Sequence, residues 1–326
     1  MSSASPSSFV AAYRLDGQGN GSPLTPEELS RVWHQDEAQL WMHLDFTHKD
    51  VDHFLDTIAA LNEDIIEALT EEDTRPRVAV FKHGRITTLR GINLNPGADP
   101  DDLISLRVWL TENRLITVRR RPLQSVTRVR AYLEAGEGAR NVGELLAGMA
   151  DTLVDRVGDL THQLDDALGE LEERETTQDA PAITNEELTD IRQPLITLRR
   201  FMEPQYHCLA RLAEDDIFDE TARLWLREAS NQLYRYVEDF RAMQERALVL
   251  QEQLSNMHNE RLNQRMYLMA IITAVFLPLT FLTGLLGINV GGIPGAESPA
   301  GFVVVVMLSM LVGAGVMALL KKWRWW

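Results

Sequence analysis

The stretch "YLMAIITAVFLPLTFLTGLLGI", Tyr267–Ile288, runs 22 residues without a charge. As an α-helix rising about 1.5 Å per residue it reaches roughly 33 Å, enough to cross the hydrocarbon core of a bilayer. Membrane helices usually end in Trp, Tyr, Lys or Arg, which settle among the headgroups. This one leaves instead through Gly287, Ile288 and Asn289 and the small-residue segment "VGGIPG". An uncharged amide is a poor anchor there, so another role is needed for it. A second charge-free run, Phe302–Leu320, gives 19 residues whose one polar side chain is Ser309.

Both runs are read as transmembrane helices, residues 267–289 and 302–320, joined by a short loop, 290–301. Arg261 and Arg265 precede the first, Lys321, Lys322 and Arg324 follow the second, and the loop has no Lys or Arg. The positive-inside bias therefore predicts cytoplasmic termini and an external, periplasmic loop. Trp323, Trp325 and Trp326 in the tail 321–326 suit the membrane interface. At the other end "MSSASPSSF" lacks a basic patch followed by an apolar run; it predicts a flexible tail, 1–8, rather than a secretory signal. The single cysteine, Cys208, excludes an internal disulfide framework. A net charge of −16 argues against nucleic acid as a partner and favours cations near the surface.

Residues 9–140 predict an α+β cytoplasmic domain with a mixed or antiparallel sheet. "FVAAYRL" and "QLWMHLDF" are strand-like, and "DVDHFLDTIAALNEDIIEAL" has helical spacing. "RVAVFKHGRITTLRGINLN" predicts a hairpin turning at His83-Gly84, and "DLISLRVWLTENRLITVRR" one turning near Glu112-Asn113. From about Leu123 the strand signal vanishes, and 141–266 predicts a helical stalk. Leu145–Glu175 is one helix; Thr184, with Glu187 three residues on, opens another through a capping box. Pro194 and Pro204 are expected to kink it. A third starts near Asp216 and meets no proline until Pro278. Unbroken to Ile288, it makes a rod of about 100 Å. Leu226, Leu233, Val237, Phe240, Ala247 and Leu254 form a coiled-coil-like seam along it.

A second line at seven-residue spacing runs Glu238, Glu245, Glu252, Asn259, Met266, Thr273, Thr280, Gly287. It changes from acidic, through amide, to small and hydroxylated. Two helices cannot enclose an aqueous path, so a pore requires several copies in a ring, each giving one wall helix. The first span carries the necessary stripe: Asn263, Met266, Ala270, Thr273, Leu277, Thr280, Gly284 and Gly287, with Asn256 and Asn259 continuing it inward. The second span has none and suits an outer, lipid-facing ring. Asn289, repeated around an axis, becomes a ring of carboxamides that holds the waters of a divalent cation without a deep well. Three plainer readings stand beside these: a solvated face for Glu238–Asn259, threonines bonded to their own helix, and Asn289 as a helix cap.

The tripeptide Gly287-Ile288-Asn289 resembles the Gly-Met-Asn hallmark of the CorA superfamily of divalent-cation transporters, with Ile in place of Met. With "VGGIPG", "WMHLDFTH" (Trp41–His48), "TRPRV" (Thr74–Val78) and "TLRGINLNPGADPDDL" (Thr88–Leu103), the chain is similar to the ZntB zinc-transporter branch over nearly its whole length. The resemblance implies a funnel-shaped homopentamer in the bacterial inner membrane, with long stalk helices continuing into the pore. It implies a filter at Gly287, Ile288 and Asn289, and zinc as the ion carried, with cadmium, nickel and cobalt as further candidates. It also implies coupling to protons as an option, and leaves uptake or efflux open. A CorA-type magnesium or cobalt channel remains the alternative.

Tight zinc sites use His, Cys and carboxylates, and the two spans contain none of these. The ion is therefore expected to pass largely hydrated, with zinc as cargo or regulator and no resident cofactor. Candidate cytoplasmic ligands are His207, Cys208, His258 and Glu252, along with His43, His48, His53, Asp45 and Asp52. A membrane-tethered scaffold or metal sensor is the competing class. An enzyme is not expected: the sequence lacks a Walker loop, a dinucleotide glycine pattern after a strand, Gly-x-Ser-x-Gly and a zinc-protease His-Glu motif.

Overall fold

The computed structural model describes residues 8–71, 75–99, 101–177, 180–288 and 298–322. The chain divides into two compact units, Met1–Leu250 and Gln251–Trp326.

The first unit is built on seven strands: β1 Phe9–Leu15, β2 Gly21–Pro23, β3 Gln39–Asp45, β4 Arg77–Phe81, β5 Gly84–Gly91, β6 Ile104–Leu110 and β7 Arg114–Arg119. They lie in the order β2-β1-β3-β7-β6-β5-β4. Every neighbouring pair is antiparallel except β3 and β7, which run parallel from Leu40↔Arg114 to Asp45↔Arg119. Successive side chains on a strand face opposite ways. Leu40, Met42 and Leu44 of β3 therefore join Ile86, Trp109, Ile116 and Val118 in one core, while Trp41 and His43 enter the other side of the sheet. The first core is closed by α1 Pro26–Val32, a π-helical turn His53–Ile58 and α2 Glu63–Thr70. The other face meets α3 Gln124–Ala135, α4 Val142–Thr176 and α5 Asn185–Ala213.

Local chemistry fixes these elements. Thr25 and Glu28 form a reciprocal capping box at the start of α1, and Thr184 and Glu187 do so at α5. Glu187 also receives Arg174 at 2.6 Å, and that ion pair with the cap holds its carboxyl down at about 2. Gly136 ends α3 in the left-handed region, φ 77°, where a side chain would be strained. Arg114 gathers the loop before β3: its Nε donates to Trp33 O at 2.6 Å, and its terminal nitrogens reach the carbonyls of Gln35 and Ala38. Gln205, on α5, is 1% exposed and pairs with both peptide groups of Arg90, accepting from its N–H at 2.5 Å and donating to its carbonyl at 3.0 Å. Strand β4 stops opposite Thr88, so the Gln205 amide stands where a further strand residue would.

Helix α6 runs Glu220–Leu286 and contains the boundary between the units. Its seam is as the periodicity predicts: Leu226, Leu233, Val237, Phe240 and Ala247 are buried, with Ala229 and Met243 between them and Ala222 and Leu250 at the two ends. Leu254 is half-buried. Gly158 of α4 makes room for Tyr236; a Cβ there would meet the tyrosine hydroxyl at 2.3 Å. Arg246 ties α6 to α4 through Asp165 at 2.6 Å and Glu172 at 2.7 Å, and Arg241 ties it to Glu203 of α5 at 2.6 Å. Helix α7, Gly301–Lys322, is the second apolar segment.

The sequence reading is corrected in several places. The first hairpin turns on Lys82-His83, one residue earlier than predicted, because Phe81 pairs with Gly84. The helical stretch after residue 50 is divided between the π turn and α2, with Ala60 at φ 52° between them. Helix α6 begins at Glu220 rather than near Asp216, and α4 begins at Val142 under an Asn141 cap. The elements α1, β2 and α3 are additions.

Candidate functional site

In the second unit, α6 and α7 are both long and apolar enough to cross a membrane, and neither apolar window is buried inside the chain. Asn256, Asn259, Asn263, Met266, Ala270, Thr273, Leu277, Thr280 and Gly284 recur at three- and four-residue intervals along α6, so they share one face. All nine are exposed. So are Phe276 and Phe281 elsewhere on the helix, and exposure within one chain does not tell a wall facing an ion from a wall facing lipid.

The hydroxyls discriminate better. Thr273 donates to Met269 O at 2.8 Å, Thr283 to Leu279 O at 3.0 Å, and Ser309 of α7 to Val305 O at 2.8 Å. Each is satisfied by its own helix, the plainer reading for such residues. Thr280 makes no such bond among the described residues, so its hydroxyl is free to meet water or an ion's hydration shell. Pro278, two residues before it, has no N–H and leaves the Ala274 carbonyl without its helical donor.

At the end of the helix the Gly287 N–H donates to Thr283 O at 2.9 Å and Gly284 O at 3.3 Å. A Cβ on Gly287 would stand 2.9 Å from the Thr283 carbonyl oxygen, a backbone atom that cannot swing away. A side chain at this position would therefore force the backbone of the last turn to shift. Ile288 is exposed, and Asn289 lies outside the described residues.

The metal ligands considered for the large domain are not gathered. Among the described residues no three of His, Cys, Asp and Glu form a group able to hold a metal ion. His43 is fully buried; Thr117 Oγ1 accepts from Trp41 Nε1 at 2.8 Å and lies 2.8 Å from His43 Nδ1. Burial, reinforced by Arg119 and Arg130, pushes this imidazole down to about 3, so it is a neutral core histidine. His207 is exposed while Cys208 is buried, its thiol pushed up to about 12 by burial, the wrong direction for a thiolate ligand. Both line a cleft of about 520 Å³ with Pro76, Val78, Arg200, Glu203, Pro204 and Arg211. Its one carboxylate, Glu203, is already engaged by Arg241, and two guanidiniums face a would-be cation. Glu252 and His258 are exposed on α6, six residues and so about 120° apart around the helix. What the sequence reading passed over is the alignment of Arg200, His207 and Arg211 on α5, at intervals of seven and four residues.

A large α+β unit followed by two helices long and apolar enough to cross a membrane fits the ion-transporter class of membrane proteins, and kinship decides it. The chain belongs to the CorA family: the model described as "CorA-like Mg2+ transporter protein" matches residues 36–322. It is similar to the zinc transport protein ZntB of Yersinia enterocolitica, 35% identical over 321 residues, 98% of this chain and 96% of that one. It is likewise similar to the divalent cation transporter CmaX of Pseudomonas aeruginosa, 37% identical over 322 residues, 98% of this chain and 94% of that one. The solved structure of full-length CmaX superposes with a TM-score of 0.86 at 36% identity, covering 99% of this chain and all of the other.

Proposed function

We propose that the protein carries divalent cations, zinc foremost, across the bacterial inner membrane as a homopentamer with both termini in the cytoplasm. The observation that supports this most is end-to-end kinship with a zinc transport protein and a divalent cation transporter. The stripe on α6 supplies the chemistry. Five copies of Asn256 through Gly284 would line one path, and Gly287, Ile288 and Asn289 would form its outer filter. Neither span holds His, Cys, Asp or Glu, so nothing in the path replaces the ion's water with tight zinc ligands. Amides, a free hydroxyl and small side chains hold a hydrated ion weakly enough to release it. A magnesium- or cobalt-carrying channel is the second reading, favoured by the family's own description.

The test is flux into liposomes containing purified protein and a zinc-sensitive dye, with and without an imposed proton gradient, repeated with magnesium and cobalt. Zinc flux that falls in Asn289→Asp, where a carboxylate ring deepens the well, supports the filter. Thr280→Val is expected to lower flux several-fold and Thr273→Val to leave it near wild type, because only the first hydroxyl is free of its own helix. Equal effects from the two threonines would unseat the register, and magnesium flux without zinc flux would replace the first reading with the second. An intact oligomer that carries no divalent ion would leave the scaffold reading.

A further inference from the structure

The two edges of the seven-stranded sheet differ. At one end β2 has three residues and finishes on Pro23, a short, proline-marked edge of the kind that discourages pairing. At the other end β4, "RVAVF", has no proline within it and no charge after Arg77. Phe81 and Gly84 flank a two-residue turn and exchange hydrogen bonds, so the alternate residues Val78 and Val80 turn their peptide groups to the outside. Arg211 Nη1 already donates to the Val78 carbonyl at 3.3 Å, where a partner strand's N–H would sit. Among the described residues nothing pairs with the peptide groups of Val80, whose side chain is 51% exposed.

Beside this edge lies the cleft of about 520 Å³ described above. Arg200, His207 and Arg211 fall within about 40° of one another around α5 and all line it. Neither arginine has a carboxylate within ion-pairing distance among the described residues, and Glu203 is committed to Arg241 at 2.6 Å and Arg199 at 3.7 Å. In a chain of net charge −16 this cleft presents two arginines against a single lining carboxylate, Glu203, among the described residues. Pro204, also in its lining, leaves the Arg200 carbonyl without its helical donor.

We propose that the cleft between β4 and α5 docks an extended acidic peptide segment of a partner protein, which adds a strand to β4 and sets its carboxylates against Arg200 and Arg211. Backbone pairing gives such a complex its affinity, and the side chains on one face give it selectivity. A small phosphate-like anion would use the arginines but not the strand edge, and that difference separates the two occupants.

The experiment uses detergent-solubilised full-length protein and fluorescence anisotropy with a labelled, end-capped eight-residue peptide of alternating Val and Glu. Three probes accompany it: the same peptide with Lys for Glu, the same peptide N-methylated at its amides, and pyrophosphate as competitor. Binding of the Glu peptide is expected to weaken about tenfold or more with either altered peptide, since each removes one of the two recognition elements. It is expected to weaken as much in Arg200→Glu/Arg211→Glu and in Val80→Pro, which removes an outward N–H while leaving charge unchanged. The N-methylated probe asks the same question of unaltered protein, so misfolding of a variant does not decide the matter. Equal binding of Glu and Lys peptides, retained binding of the N-methylated peptide, or no binding of the Glu peptide each overturns the proposal. Pyrophosphate binding that matches the Glu peptide and is unchanged in Val80→Pro overturns it in favour of a small-anion site.

Discussion

Between Glu220 and Leu250 helix α6 buries a complete seam, Ala222 through Leu250, whereas between Gln251 and Leu286 it buries no residue. The backbone is the same in both halves; what changes is where the covering surface comes from. In the first half Gly158, Tyr206 and the carboxylates of α4 and α5 meet it within one chain. In the second half Phe276, Leu277 and Phe281 stand 62–70% exposed. So much contiguous apolar surface is not kept in water, so lipid or further copies must cover it. A helix can thus have its stability set by its own chain at one end and by its surroundings at the other.

The sharpest way to break this comparison is to remove a large side chain from each half. Phe240→Ala empties a fully buried seam position and should cost about 3–5 kcal/mol in urea unfolding of the first unit. Phe281→Ala should leave that transition unmoved. If both mutations shift it equally, the two halves are not energetically separate. A smaller effect is expected at the helix crossing: Gly158→Ala drives a methyl into Tyr236 and should cost about 1–3 kcal/mol. Combined with Tyr236→Ala the costs should fall short of their sum, because the clash is then relieved; strict additivity would place the strain elsewhere.

A third probe, which leaves every side chain in place, is pH. His43 titrates at about 3 when folded against about 6.5 when unfolded, so the unfolded chain takes up the proton first. The stabilisation is present above pH 6.5 and is lost as pH falls toward 3, at roughly 1.4 kcal/mol per pH unit. His43→Gln should flatten the urea midpoint of the first unit over that window. An unchanged slope would assign the acid sensitivity to other groups.

Much of this architecture is legible in the sequence, for reasons that differ by element. The two apolar helices announce themselves by the absence of charge, and the α6 seam by its three- and four-residue spacing. Strand β3 reads as a nearly continuous apolar run, Leu40 to Leu44 broken only by His43, and both faces are buried, so the sequence does not say which side takes His43. Helix α3 sets Arg128 and Arg130 among its apolar residues and has no side-chain N-cap, which leaves little signal. The π turn and α2 share a helical period, and the break at Ala60 has no Gly or Pro to mark it. The proposed ion path is legible only as a register on α6, since the walls it calls for would come from other copies. The basic face of α5 was readable as Arg200, His207 and Arg211, but only the strand beside it shows what that face accompanies.

The parallel pairing of β3 with β7 also has a kinetic side. Strands β1–β3 and β4–β7 each pair antiparallel with neighbours close in sequence, but the seam joins Leu40 to Arg114 across more than seventy residues. Closing a loop of that length costs entropy before any contact compensates it. The two half-sheets can therefore zip early and independently, while the seam waits for a long-range encounter. Arg114, reaching three carbonyls of the segment before β3, is the latch that makes the encounter last.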